Sequence, residues 1–181
     1  YKLEKINPRK NMFDNVYCIT SVFNPVHYAS RTKLYHNFKK QMTDAGVKLF
    51  TVELAYGEKP FEVTTGLPNE LQLRTRAVLW HKERLINLAV QRLPANWQYV
   101  MWIDADVQFQ NPQWLEGTVL RLQYHPVVQM FSFAQDLDQN YSPIGKSVEG
   151  FGYAYHHGLI NNSSKLKYGK YAHTGYAWAM R

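Results

Sequence analysis

Apolar side chains recur along this chain in two periods, and the alternation of those periods predicts a mixed α/β protein. Val16–Val22 (VYCITSV) is continuous and apolar enough for a buried strand, ended by Asn24-Pro25 because proline cannot extend a central ladder. From Tyr28 to Ala45, Leu34, Tyr35, Phe38 and Met42 fall at helical spacing, and Gly46 stands where a left-handed terminating residue is wanted. Val47–Leu54 alternates and is rich in β-branched residues, predicting a second strand that stops at Ala55-Tyr56-Gly57. Strand, helix, strand implies a right-handed parallel unit. Phe61–Gln72 reads as a loop with a short extended piece around Phe61–Thr65, and Leu73–Leu93 as the strongest helix, its stripe formed by Val78, Leu79, Leu85, Ile86, Leu88, Ala89 and Leu93 before Pro94 stops it. Tyr99–Ile103 is a strand buried on both faces, Val107–Gln110 a further extended piece, Trp114–Gln123 a helix after Pro112, and Val127–Phe133 another strand. Ala134–Gly169, richer in Gly, Ser, Asn, Tyr and His, reads as loops and short elements around a site, and Gly175–Met180 as a closing strand.

With no repeat or linker, the 181 residues are expected to form one domain, 1–181, with a mainly parallel central sheet flanked by helices. The chain opens on Tyr1 and stops at Arg181 directly after an apolar stretch, which reads as a piece of a longer protein. A formal charge of +7 suits an anionic ligand such as a nucleoside diphosphate, or an acidic glycan or membrane surface. No RNA-recognition, zinc-finger or basic-helix signature is present, so nucleic acid is not the expected partner. The sole cysteine, Cys18, sits in an apolar stretch and reads as a packing residue, excluding disulfides within one chain and fitting a cytoplasmic setting. No stretch approaches the length of a transmembrane span, which leaves peripheral membrane contact as the expected kind, if any.

The chemistry concentrates in YVMWIDADVQF, residues 99–109. Ligands of open α/β sheets bind beyond the carboxyl ends of the strands, and there the run delivers Asp104 and Asp106. Residues i and i+2 of extended chain face one way, and Ala105 between them is small enough to admit a bulky ligand. Two carboxylates so close repel unless a cation compensates, and hard oxygen donors favour magnesium or manganese over zinc.

The order of elements together with WIDADV, VFNPVHYASR, LWHKERLINLAVQRLP and HTGYAWAMR resembles the GT-A fold of nucleotide-diphospho-sugar glycosyltransferases, most closely their family-2-like bacterial and viral members. The resemblance implies a Rossmann-like domain truncated on its acceptor side, a metal-dependent transfer from a nucleotide-sugar, UDP-sugar foremost, to a glycan or other hydroxyl acceptor, and Mn2+ or Mg2+ as cofactor. It assigns Asp104 and Asp106 to the DXD motif, Asp106 foremost as metal ligand and Asp104 also to the ribose or metal-bound water, with His173 as a candidate to complete the metal sphere. Ser21, Asn24, Arg31, Glu53 and Lys82 become candidate donor-binding residues: Ser21, Asn24 and Glu53 toward the base, Arg31 toward phosphate, and Lys82 toward diphosphate or base. Plainer readings stand beside these: Asn24 as turn chemistry, Glu53 as a strand-closing acid, Arg31 and Lys82 as solvated cations and His173 as a structural histidine, while Trp80 reads as core. Gly175 and Ala177 would let a sugar approach the backbone. The inverting members' general base is expected beyond Arg181, with Asp136, Asp138 and Glu149 as alternatives inside the chain. Two rival readings remain: a haloacid-dehalogenase-like phosphatase using Asp104 and Asp106, against which the late position of the motif speaks, and a non-catalytic carbohydrate-binding module, suggested by thirteen tyrosines and five tryptophans.

Overall fold

A six-stranded sheet forms the centre of the computed structural model, which describes residues 13–160 and 172–181. Strand β1 (Val16–Phe23) runs parallel to β2 (Lys48–Tyr56) on one side and to β4 (Tyr99–Ile103) on the other, and β2 is parallel to β3 (Glu70–Thr75). Strand β8 (Ala177–Met180) lies antiparallel between β4 and β5 (Val127–Gln129). The order across the sheet is therefore β3-β2-β1-β4-β8-β5, mostly parallel with one reversed strand. Helices α1 (Ala29–Asp44) and α3 (Trp114–Leu122) cover one face, where Phe38, Met42, Leu115, Val119 and Leu122 pack on Cys18, Met101 and Ile103. The other face takes α2 (Lys82–Val90), with Leu85 and Ala89 against Ile19, Val52 and Val100. The doubly buried character expected of β1 and β4 follows from this sandwich. Cys18 is fully buried, and burial pushes its thiol far above its ordinary pKa, so it packs and does not react.

Several boundaries differ from the sequence reading, each for a physical reason. The predicted loop 61–72 and helix 73–93 give way to strand β3 and a helix starting only at Lys82: ELQLRT places Leu71 and Leu73 against the α2 face of the sheet, and the residues counted in the helical stripe as Val78 and Leu79 stand in solvent. Val107–Gln110 is not a strand, because the chain turns directly after β4 with the Val107 N–H donating to the Asp104 carbonyl at 3.1 Å. Strand 127–133 splits. Its first three residues join the sheet, while Phe133–Leu137 (β6) pairs with Pro143–Glu149 (β7) in a separate hairpin, followed by the short helix α4 (Phe151–His156). The last part of the 134–169 reading lies outside the described residues.

Two carboxylates hold the long β2–β3 connection to the sheet. Glu53, in β2, accepts from the backbone N–H groups of Glu62, Val63 and Thr64 and from the Thr64 hydroxyl. Glu70, at the start of β3, accepts from the N–H groups of Thr65 (2.7 Å), Gly66 (3.1 Å) and Leu67 (3.2 Å) and pairs with Lys39. Burial raises the Glu70 pKa, but those donors and the Lys39 charge outweigh it, and the net shift is downward. A carboxylate with a depressed native pKa adds stability above its unfolded value, about 4.3, and loses it as pH falls through the native value. Glu70→Gln is therefore expected to cost about 1–2 kcal/mol at pH 7, with the gap from the parent closing in acid; urea melts across pH 2.5–7 check this.

Candidate functional site

The strand order reverses between β1 and β4, since β1 leads by way of α1 to β2 on one side while β4 enters on the other. In a sheet of this kind the crevice outside the carboxyl ends at such a switch point is the expected ligand site. A cavity of about 240 Å³ opens there, lined by Ser21 and Phe23 from the end of β1, Arg31 and Leu34 from α1, Trp80 and Lys82 from the start of α2, Asp104 and Asp106 after β4, and Tyr176 before β8.

Local bonding explains why the acids reach it. The buried Thr20 hydroxyl donates to the Ile103 carbonyl at 2.8 Å, closing β4 against β1 at the last strand residue. The Asp104 N–H donates to the Tyr176 carbonyl at 2.9 Å, and the turn through Ala105 swings Asp106 to the same cavity. Asp104 and Asp106 thus converge through a turn, not through the alternation of an extended strand as the sequence suggested. Lys82 Nζ forms an ion pair with Asp104 Oδ1, both side chains being largely shielded from solvent. Burial raises the Asp104 pKa; Lys82 draws it back, Asp106 pushes it up again, and the net position is above the ordinary carboxylate value.

Tyr176, which the sequence pattern does not single out, organises the remaining wall. Its φ of 69° is a left-handed conformation that bulky residues avoid. It is over-determined by neighbours: the carbonyl holds Asp104, the ring stacks on His173 at 3.7 Å, and the hydroxyl donates to Asp136 Oδ1 at 3.3 Å. Burial first, then the nearby carboxylates, raise the Tyr176 pKa, so the phenol stays protonated as a donor. The His173 ring accepts the Gly175 N–H at Nδ1 (3.0 Å), and burial lowers its pKa despite Asp104 and Asp136, so the ring is neutral near pH 7. A Cβ at Gly175 would lie 3.0 Å from His173 Cε1, close enough that the ring would have to shift by a few tenths of an ångström. No sequence pattern announces a strained tyrosine; its position beside Gly175 was the nearest signal.

Of the residues expected at the site, Ser21, Arg31, Lys82, Asp104 and Asp106 line one cavity. Asn24 and Glu53 do not. The space beside them is only about 10 Å³, room for a single water. The Glu53 carboxylate holds the 62–64 backbone, while Asn24 takes the Tyr28 N–H at 2.9 Å and donates to Glu62 Oε2 at 2.9 Å, fixing the entry to α1. Trp80, expected in the core, is 69% exposed at the cavity wall, edge-on to Phe23 at 5.7 Å, with its Nε1 donating to Glu83. Ala177 is fully buried in the core and offers nothing to a ligand. Among the three alternative acids, only Asp136 is tied to the cavity wall, through Tyr176. Asp138 is occupied by the Asn140 and Ser142 N–H groups of the hairpin turn, and Glu149 closes β7 beside Gly150.

The donor set decides which cation would fit. Among the described residues no three His, Cys, Asp or Glu side chains converge, so the chain offers no closed cage. Two carboxylates on an open cavity suit a magnesium- or manganese-type ion that completes its shell with water and ligand phosphate oxygens. Asp104 and Asp106 are the residues that would hold such an ion.

No protein-family model matches the chain, and no curated protein does. Among solved structures it is similar to a putative nucleotide-diphospho-sugar transferase from Desulfovibrio desulfuricans G20, at 11% identity and a TM-score of 0.39, over 64% of this chain and 57% of that one. A likeness this distant carries no conclusion about the site, which rests on the residues of the cavity alone. No helix among the described residues is long and apolar enough to cross a membrane.

Proposed function

We propose that the switch-point cavity binds a nucleotide-diphospho-sugar, UDP-sugar foremost, together with Mn2+ or Mg2+, and that the protein is a glycosyltransferase of GT-A type acting on a glycan or other hydroxyl acceptor. The observation that supports this reading most is the facing of two carboxylates, Asp104 and Asp106, by two cations, Arg31 and Lys82, around one open cavity at the carboxyl ends of β1 and β4. A diphosphate answers both halves of that arrangement: its oxygens accept from the guanidinium and ammonium groups and complete the shell of an ion held by the acids. The chain's own groups then divide the work. Arg31 and Lys82 orient the diphosphate and take up negative charge as the anomeric C–O bond breaks, an interaction worth more in the transition state than in the ground state. Asp104 holds Lys82 in place before the ligand arrives. Of the acids weighed within the chain, Asp136, which accepts from the Tyr176 hydroxyl, is the one we assign to take the proton of an acceptor hydroxyl.

Calorimetric titration of a panel of UDP-, GDP- and other nucleotide-sugars with and without manganese tests the reading and names the nucleotide. Binding is expected for one nucleotide class, only with the metal; glycan binding that needs neither nucleotide nor metal would replace it with the carbohydrate-binding reading, and turnover of simple phosphate esters with the phosphatase reading. In the same assay Lys82→Met is expected to weaken nucleoside-diphosphate binding by about tenfold, from loss of one charge-assisted contact, with little change in a nucleoside lacking phosphate.

A further inference from the structure

Between β3 and α2 the chain leaves the carboxyl edge of the sheet in a protruding segment, and five consecutive residues, Arg76 to Trp80, are exposed. Three of them are large and apolar: Val78 is 70% exposed, Leu79 66% and Trp80 69%. Contiguous apolar side chains held this far into water mark an interaction surface. Its flanks say of what kind. Arg74 and Arg76 precede it and Arg84 follows; Arg76 and Arg84 engage no carboxylate among the described residues, and Arg74 is spent on the Gly57 and Lys59 carbonyls without being neutralised. Lys82 is paired with Asp104, and the one acid between residues 74 and 84, Glu83, accepts from Trp80 Nε1.

We infer that this segment docks the protein on an anionic phospholipid bilayer. An exposed aliphatic pair beside a tryptophan, bordered by unpaired arginines, has the make-up of an interfacial anchor: Val78 and Leu79 enter the boundary between headgroups and acyl chains, Trp80 sits at headgroup level, and Arg76 and Arg84 meet lipid phosphates. The chain's formal charge of +7 favours this partner over a second copy of the same chain, whose like charge would oppose association. Because Trp80 also lines the cavity, docking would bring the cavity mouth to the membrane surface. The inference stands on this surface alone and goes beyond the donor reading.

Vesicle flotation of the full chain at 0.15 M salt tests it, with phosphatidylcholine vesicles and vesicles of phosphatidylcholine with phosphatidylserine, no nucleotide being present. The parent protein is expected to float with the anionic vesicles and far less with the neutral ones. Val78→Asp/Leu79→Asp is expected to reduce partitioning by about tenfold or more. Arg76→Gln/Arg84→Gln is expected to reduce it by about fivefold per charge on anionic vesicles only. Both are surface changes, and an unaltered thermal melt shows that each variant is folded. No flotation of the parent, or flotation that the aspartate pair leaves unchanged, overturns the proposal; so does a concentration-dependent dimer lost in that variant, which would assign the face to a second copy. Failure here leaves nucleotide-sugar binding untouched, and failure of nucleotide-sugar binding leaves vesicle flotation as it was, so the two outcomes are separable.

Discussion

Asp106→Ala is expected to weaken manganese-dependent binding of a nucleoside diphosphate by about a hundredfold while leaving the melting temperature unchanged within a degree or so. Asp106 is exposed and, among the described residues, contributes to no hydrogen bond that shapes the turn, so its removal takes away an ion's oxygen donor and little else. Asp104→Ala differs in kind. The same loss of affinity is expected, but Lys82 would also be left without its carboxylate in a largely shielded position, and a destabilisation of about 1–2 kcal/mol should accompany it. Asp104→Asn separates the two effects, since the amide can still accept from Lys82 but is a poor donor to a hard cation. Calorimetry with manganese and UDP or GDP, run beside thermal melts of all three variants, checks the pattern. Affinity unchanged in Asp106→Ala would remove the acids from the binding site, and the proposed function with them.

What the chain disclosed in advance depends on where its apolar residues are buried. Strand β4 was legible because both faces of YVMWI meet helices, so hydrophobicity and burial coincide. Strand β3 was not, because no proline or glycine separates its half-buried alternation of Leu71 and Leu73 from Val78 and Leu79, whose apolar character continues a helical period although they are exposed. A pattern of this sort assumes that apolar means inside, and it failed where an apolar segment faces outward. The site shows the same division. That Asp104, Asp106, Lys82, Arg31 and Ser21 would line one cavity was legible because residues at the carboxyl ends of neighbouring strands and the starts of the following helices must converge. Asn24 and Glu53 occupy equivalent places in the chain, yet sequence does not say which backbone N–H groups will reach a carboxylate first. The role of Tyr176 depends on a backbone torsion, which residue identity does not encode for a tyrosine.

Glu53 gives the largest expected effect on stability, and its variants distinguish its two candidate roles. Its carboxylate accepts from three backbone N–H groups and the Thr64 hydroxyl, and the segment it holds is itself buried, Val63 at 8% and Thr64 at 5% exposure. Glu53→Ala strips the acceptors from those donors, each of which costs about 1–3 kcal/mol when left unpaired. Water entering the enlarged space would recover part of that, so a net loss of about 3–4 kcal/mol is expected, which for a chain of this length lowers the melting temperature by roughly 6–16 °C. Glu53→Gln keeps the shape but turns one acceptor into an NH2 group facing N–H donors, and about half the loss is expected. The connection between β2 and β3 should become open to limited proteolysis in both variants. An acid that read a nucleotide base would behave in the opposite way, with affinity falling at unchanged melting temperature. The space beside Glu53 is about 10 Å³, room for a water, so the stability effect is the one expected, and any change in nucleotide affinity should track the loss of the fold and vanish when binding is measured well below the melting transition.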